Sequence, residues 1–238
     1  MGARATINVW NPSVVQPEVS FSQIWLEAGP RESMNTVEAG WMVDTVSYPR
    51  NQAKIFIFYT ADGYRTRCYN LECKDGFRLI RGSRFAPNNL LEPVSVYDNE
   101  QQRDLTIAIW KDQVSGDWWL RIEEEIVGYW PEKLFTHLKG PAEKIRWGGE
   151  IVNTKPRGRH TSTQMGSGHF PSEGYRRASY FRHLKFLDDR FIERDPVNLQ
   201  TFVTKPNCYD LLLNLDPPGT CGVNFYYGGP GFSAQCPI

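Results

Sequence analysis

Two glutamates stand in short segments where small residues leave space beside them. Glu150 ends "WGGE" at 147–150, and Glu38 precedes Ala39 and Gly40 in "NTVEAGW". Glycine has no side chain to cover the surface of a strand, so it often marks a place where another group approaches the backbone. Two carboxyl groups can hydrolyse a bond by general acid–base catalysis without a metal or cofactor. We therefore take Glu38 and Glu150 as the candidate catalytic pair.

Other catalytic chemistries lack the residues that they require. "MGSGH" at 165–169 places a serine near a histidine, but no predicted helix follows it, as a nucleophile elbow requires. The four histidines have no metal-binding spacing, and the glycine-rich segment 226–235 has no phosphate-loop lysine or following helix. We predict neither a metal nor a cofactor.

Both glutamates lie in segments where apolar and polar residues alternate, which is typical of β-strands. Similar short segments recur along the chain, rich in β-branched and aromatic residues and bounded by Gly, Pro, Asn or Asp. The predicted strands are 5–10, 21–26, 54–60, 94–97, 104–110, 118–122 and 182–187. This pattern predicts an all-β fold in which two antiparallel sheets pack as a β-sandwich.

One segment departs from the alternation. Residues 130–138 place Pro131 near a first helical position and Leu134, Phe135 and Leu138 on one helical face. We expect one short helix that covers the end of a sheet. Because the 238 residues contain no repeat or linker-like segment, we predict a single domain over 1–238.

Charge and hydropathy exclude two classes of partner. Lys and Arg together number 27, as do Asp and Glu, so no net charge attracts nucleic acid or anionic lipid. No apolar stretch approaches the roughly 18 residues of a membrane span. The N-terminus also lacks a signal-peptide core. We expect neither nucleic acid nor a membrane as partner, and either a cytosolic protein or one whose targeting segment has been removed.

The five cysteines bear on the compartment. Cys68 and Cys73 enclose four residues, and Cys208, Cys221 and Cys236 lie in a Gly/Pro-rich region that a crosslink would restrain. Disulfides are favoured over zinc because there is no CxxC pair. This favours an oxidising compartment.

Nine segments, in order along a chain matched from Ala3 to Pro237, together resemble the plant neprosin family. They are "FSQIW", "NTVEAGW", "CYNLEC", "KDQVSGDWWL", "VGYWPEKLF", "WGGEIVN", "STQMGSGHF", "NCYD" and "FYYGGPG". The resemblance implies a jelly-roll-like β-sandwich glutamic peptidase that cuts next to proline at acidic pH. It also implies a secreted protein, extracellular or vacuolar, made with a signal peptide and an inhibitory N-terminal activation peptide that are absent from this chain.

The family's catalytic pair corresponds by motif to Glu38 and Glu150, and the "SQIW" glutamine, Gln23, is expected beside them. Two carboxyls in close contact resist double ionisation, so one pKa rises and the pair shares a proton in mild acid. We assign Glu150 as the base that activates water, Glu38 as the acid, and Gln23 as a second oxyanion donor.

A flat aromatic pocket would suit the rigid proline ring of the substrate. The candidate substrate-binding residues are Trp25, Trp41, Tyr59, Tyr64, Trp147 and Tyr226. For the cysteines we predict disulfides Cys68–Cys73 and Cys208–Cys236, with Cys221 as the remaining cysteine or an alternative partner of Cys208. The first would close a tight loop and the second would restrain the C-terminal segment.

Two other functions use the same features. A jelly-roll glycoside hydrolase also sets two glutamates in an aromatic cleft. In a non-catalytic wall-associated or carbohydrate-binding sandwich, the acids would be structural.

Overall fold

The computed structural model of the protein describes residues 1–46, 50–156, 160–214 and 221–236. In these ranges the chain forms fourteen β-strands. They are β1 (Gly2–Asn8), β2 (Val19–Ala28), β3 (Asn35–Asp44), β4 (Lys54–Thr60), β5 (Arg67–Tyr69), β6 (Arg78–Leu79), β7 (Asp104–Lys111), β8 (Trp118–Ile122), β9 (Glu125–Trp130), β10 (Lys144–Val152), β11 (Ser179–Leu187), β12 (Glu193–Arg194), β13 (Asp210–Asn214) and β14 (Asn224–Gly228).

The strands form two antiparallel sheets. The small sheet has the order β10-β2-β3-β4-β5. The large sheet has the order β13-β14-β11-β1-β7-β8-β9-β6, with β12 paired to β11. This arrangement confirms the predicted all-β sandwich.

The main hydrophobic core lies between the sheets. Ile24 and Trp41 of the small sheet belong to the same buried cluster as Ile107, Trp118 and Phe181 of the large sheet. Burying one large apolar side chain contributes about 1.5–3 kcal/mol, so this layer is the principal source of stability. Alternate residues of the small sheet point away from the core, and we call the surface that they form the outer face.

The helix predicted over 130–138 is wrong. Two short 3-10 helices, Glu132–Leu134 and His137–Lys139, occupy the segment instead. Asn35 Oδ1 accepts hydrogen bonds from the backbone N–H groups of Thr136, His137 and Leu138 at 2.8, 2.7 and 3.1 Å. These donors are therefore held by a side chain of β3 and cannot form the i−4 bonds of an α-helix.

The strand predicted at 94–97 is also wrong, because this segment is a loop. The backbone N–H of Ser95 donates to Val9 O at 2.9 Å, and its hydroxyl donates to Arg103 O at 3.0 Å. The segment is therefore held by single bonds to residues just after β1 and just before β7, and not by the regular pairing of a strand.

Two disulfides confirm the predicted crosslinks. They join Cys68 to Cys73 and Cys208 to Cys236. Cys221 takes part in neither of them. Among the described residues, no helix has the length and apolar character needed to cross a membrane.

Candidate active site

Gln23 lies at the centre of three neighbouring strands. In register it pairs with Gly148 of β10 on one side and with Gly40 of β3 on the other. Its side chain is only 1% exposed. Since residues two positions apart in a strand share a face, Gln23 projects to the outer face and not into the core that contains Ile24.

The two glutamates lie diagonally on either side of Gln23, on the same outer face. Glu150 of β10 pairs with Phe21, and Glu38 of β3 pairs with Trp25. The strand β2 therefore separates the two carboxyl-bearing strands. Tertiary pairing thus brings together three side chains that are up to 127 positions apart in the sequence.

Glu38 is buried at the floor of this site. It is 3% exposed, and Thr36 Oγ1 donates a hydrogen bond to its Oε1 at 2.7 Å. Burial in a region poor in water raises the pKa of Glu38 to about 8, with smaller upward contributions from the charges of Glu150 and Glu27. Hydrogen bonds from Thr36 and Trp25 oppose this rise in pKa. Glu38 is therefore a neutral acid near pH 7.

Glu150 is held in a different environment. Its side chain is exposed at the surface, yet the protein around it raises its pKa by displacing part of the water from the carboxyl. Gln23 Nε2 donates to Glu150 Oε2 at 3.4 Å, which favours the ionised form and lowers the pKa. Solvent therefore reaches this carboxylate directly.

The pair does not share a proton by direct contact. Within the described residues no hydrogen bond joins Glu38 to Glu150, and Gln23 lies between them. The pKa of Glu38 rises mainly through burial, and repulsion by Glu150 is a smaller cause. The close-contact arrangement that we expected is therefore replaced by two separate carboxyls. Burial raises the pKa of both, and Glu38 is the more enclosed of the two.

The two glycines before Glu150 have different roles. A Cβ at Gly148 would meet no atom within 4 Å, so this position leaves open space on the outer face beside Gln23. A Cβ at Gly149 would lie 2.8 Å from Met165 and from the ring of Tyr227. One glycine thus opens the site, and the other lets the large sheet approach β10 closely.

Aromatic side chains cover the outer face next to the glutamates. The rings of Phe21 and Phe56 are 4.8 Å apart, and those of Phe58 and Tyr69 are 4.7 Å apart. Tyr64 stacks on Phe58 with a centroid distance of 6.1 Å. We call these five residues the aromatic wall.

A cavity of about 540 Å³ lies along the same face, at the end of the aromatic wall. Its lining includes Val19, Phe21, Met42, Tyr69 and Val152. The lining also carries charge, in the ion pair between Asp44 and Lys54, whose O–N distance is 3.5 Å, and in Glu72.

The predicted substrate-binding residues are divided between faces. Trp25 and Tyr64 lie at the outer face, close to Glu38. Trp41 and Tyr59 are instead buried in the core between the sheets, and Trp147 packs against that core. These three residues are removed from the substrate-binding set, because each occupies an inward position in its strand.

Tyr226 is also removed from the set. It belongs to β14 of the large sheet, where it pairs with Tyr180. Its neighbours in sequence, Phe225 and Tyr227, are buried in the core, so Tyr226 faces away from it. The large sheet therefore separates its ring from the glutamates.

Sequence reasoning missed Phe21, Phe56, Phe58 and Tyr69 as components of the site. The signal was present in "KIFIFYT", where β4 carries aromatic or apolar residues at every position from Ile55 to Tyr59. A strand that is apolar on both sides is expected to pack against other apolar groups on both of them. Applied to β4, this rule indicates a second apolar surface in addition to the core.

One cluster of side chains contains residue types that commonly bind metals. Within the described part of the chain, His160, Cys208 and Cys236 place one ligand atom each within 4.8 Å of one another. The two sulfurs form a disulfide and are not thiolate ligands. The sequence spacing had not placed a histidine near these cysteines.

Comparison with protein families gives a match that covers most of the chain. A family model described as Neprosin matches residues 16–230, which is most of the 238-residue chain. The matched range includes Gln23, Glu38 and Glu150.

Proposed function

The chain belongs to the neprosin family, and on this basis we propose that it is a glutamic endopeptidase that hydrolyses peptide bonds next to proline. Family membership by itself supports a peptidase-like hydrolase. The observation that carries the finer proposal is the pair Glu38 and Glu150, which lie around Gln23 on the outer face of the small sheet. Their surroundings differ enough that Glu38 stays neutral at a pH at which Glu150 can ionise.

The two environments assign the roles. Ionised Glu150 takes a proton from water, and the water oxygen bonds to the carbonyl carbon of the substrate, whose oxygen becomes an oxyanion. Protonated Glu38 gives its proton to the leaving nitrogen as the C–N bond breaks, which yields a carboxylic acid and an amine. Glu150 is then protonated and Glu38 ionised, and exchange with solvent restores the starting state. Burial of Glu38 supports its role as acid, and exposure of Glu150 supports its role as base.

The aromatic wall supports proline as the residue next to the cleaved bond. Proline presents a rigid ring and no backbone N–H donor, so it can pack on aromatic rings without leaving a polar group unsatisfied. The adjacent cavity, lined by Phe21, Met42 and Tyr69, has room for further apolar side chains of an extended peptide.

We also propose that the protein is secreted and is made with an N-terminal activation peptide that inhibits it. The two disulfides support an oxidising compartment. The activation peptide follows from the family alone, and it would occupy the outer face in place of substrate.

The test is substitution of each glutamate by glutamine, which keeps the shape of the side chain but cannot ionise. We expect Glu38→Gln and Glu150→Gln each to lower kcat/KM by about 10²-fold or more on a proline-containing peptide, and the double variant to lose little further. Gln23→Ala should lose no more than about 10²-fold. Cleavage is measured by mass spectrometry, and folding by circular dichroism.

The control is Glu124→Gln, the same chemical change at an exposed residue between β8 and β9 of the large sheet.

The pH dependence of wild-type activity is a second test. Activity should rise as Glu150 ionises, with a pKa above the usual range for glutamate, and should fall as Glu38 loses its proton near pH 8. The other titratable groups that face the pair are Glu27, Arg146, Tyr64 and Tyr69. This profile extends closer to neutral pH than the sequence led us to expect.

Two outcomes would contradict the proposal. If a folded Glu150→Gln variant kept more than about a tenth of the wild-type rate, Glu150 would not be a catalytic residue. If the protein cleaved members of a polysaccharide panel with the same two glutamates and cleaved no peptide, the glycoside hydrolase would be favoured instead.

A further inference from the structure

Tyr64 covers the outer face beside Glu38. It lies in the loop between β4 and β5, and its ring stacks on Phe58 at 6.1 Å with an interplanar angle of 22°. Phe58 pairs with Glu38 in the register of β3 and β4. The side chain of Tyr64 is 42% exposed, so a substrate on this face can reach it.

The backbone holds Tyr64 in an unusual conformation. Its φ is 67°, in the left-handed region that non-glycine residues seldom occupy. Its N–H donates to Thr60 Oγ1 at 2.8 Å, and the N–H of Gly63 donates to Met34 O at 3.0 Å. Strained conformations that the surrounding structure fixes in this way are concentrated at functional sites.

Charged groups from three strands surround the phenol. Burial, followed by the negative charges of Glu38, Glu27 and Glu150, raises the pKa of Tyr64, and the positive charge of Arg146 lowers it. The hydroxyl therefore keeps its proton across the working pH range. Among the described residues it has no hydrogen-bond partner, whereas Gln23 already donates to Glu150.

We propose that Tyr64 is a further catalytic residue, whose hydroxyl donates a hydrogen bond to the oxyanion formed when water attacks the peptide carbonyl. The inference rests on the proposed function and adds a donor that stabilises the negative charge of the intermediate. A donor held in place before the reaction is effective because it need not reorganise as the charge develops. The stacking on Phe58 and the fixed loop supply that preorganisation.

The test is Tyr64→Phe, which removes only the hydroxyl and keeps the ring, the stacking and the backbone conformation. We expect kcat to fall by about 10²-fold, as for loss of one oxyanion donor, with KM within about twofold of the wild type. The melting temperature should not change. The matched control is Tyr175→Phe, the same loss of a hydroxyl at an exposed tyrosine in the segment before β11 of the large sheet, which should keep the wild-type kcat.

Three results would overturn the inference. Tyr64→Phe could retain the wild-type kcat, or could raise KM alone, which would make Tyr64 a binding residue. If Tyr64→Phe were active and Tyr64→Leu were not, the ring would act only through packing. Glu38→Gln and Glu150→Gln, assayed on the same peptide, separate the two proposals: if they are inactive while Tyr64→Phe is fully active, only the role of Tyr64 fails, whereas active glutamate variants contradict the proposed function itself.

Discussion

At the scale of single residues, burial sets the protonation of the candidate pair more than repulsion does. Glu38 and Glu150 have the same side chain, but one is enclosed by the sheet and the other is open to solvent. Desolvation disfavours the charged form of the enclosed carboxyl, and this separates the two pKa values without requiring contact between the carboxyls. Hydrolysis by general acid–base catalysis requires one protonated and one ionised group, and the buried acid and the accessible base can supply them.

The raised pKa of Glu38 predicts a pH-dependent cost to stability. Its folded-state pKa of about 8 is above the ordinary glutamate value of 4.5, so the neutral carboxyl stabilises the fold fully below about pH 4.5 and this contribution is lost as pH rises through 8. The full effect is on the order of 5 kcal/mol. Glu38→Gln keeps the acceptor for Thr36 and cannot ionise, so it should raise the melting temperature at pH 8.5 and change it little at pH 4.5.

This is measured by thermal unfolding at the two pH values, with Glu124→Gln as the exposed control. A melting-temperature difference between Glu38→Gln and wild type that was the same at both pH values would show that ionisation of Glu38 does not affect stability.

At the scale of elements, one side of β10 faces the candidate site and the other side faces the core. Its outward positions include Gly148 and Glu150, whereas Gly149 faces the large sheet. Ile151, also inward, packs with the cluster around Cys208 and Cys236. The strand therefore couples the position of Glu150 to the packing between the sheets.

Alanine substitution of the two glycines should separate these roles. Gly149→Ala places a methyl group 2.8 Å from Met165 and Tyr227, so we expect a loss of stability of about 1–3 kcal/mol. Gly148→Ala meets no neighbour, so the melting temperature should be unchanged, while the methyl group in the substrate space should lower kcat/KM by about tenfold or more.

The two variants are compared by denaturant unfolding and by the peptide assay. Full activity of Gly148→Ala would show that substrate does not approach β10 at this position. A Gly149→Ala variant as stable as the wild type would show that Met165 and Tyr227 move aside without cost.

At the scale of the whole molecule, the C-terminal segment is held against the rest of the chain by Cys208–Cys236, across 28 positions. The disulfide packs with Tyr209 and lies next to Ile151 and Met165, beneath the strand that carries Glu150. Cys68–Cys73 closes only 5 positions, beside β5. The first crosslink therefore supports the site from inside the molecule, and the second holds a local loop.

Removing the disulfides one at a time should have unequal effects. The loop-closure relation gives about 3.6 kcal/mol for the longer crosslink and about 2.2 kcal/mol for the shorter one. We expect the double serine variant of Cys208 and Cys236 to melt at a lower temperature than that of Cys68 and Cys73. Scanning calorimetry tests the order, and the reverse order would mean that the C-terminal segment is held by packing alone.

The sequence by itself determined several of the strands, the sandwich and the identity of the candidate pair. Alternation is a property of neighbouring residues, so 54–60 and 118–122 were predicted with the bounds that the structure has. The glycines of "WGGE" likewise marked a local feature, and the order of motifs along the chain indicated the family that the comparison then showed.

Only the tertiary structure decided which side of a strand serves the site. The sequence could not separate Trp41 and Trp147, which face the core, from Phe58 and Tyr69, which face outward, because the strands of the small sheet carry aromatic residues on both sides. A shift of one residue in register would exchange the two faces, so the assignment depends on pairing between strands distant in the sequence. For the same reason the helix predicted at 130–138 was lost to hydrogen bonds that its backbone N–H groups donate to Asn35, about a hundred positions away, and the pKa of Glu38 was set by the burial that this long-range pairing creates.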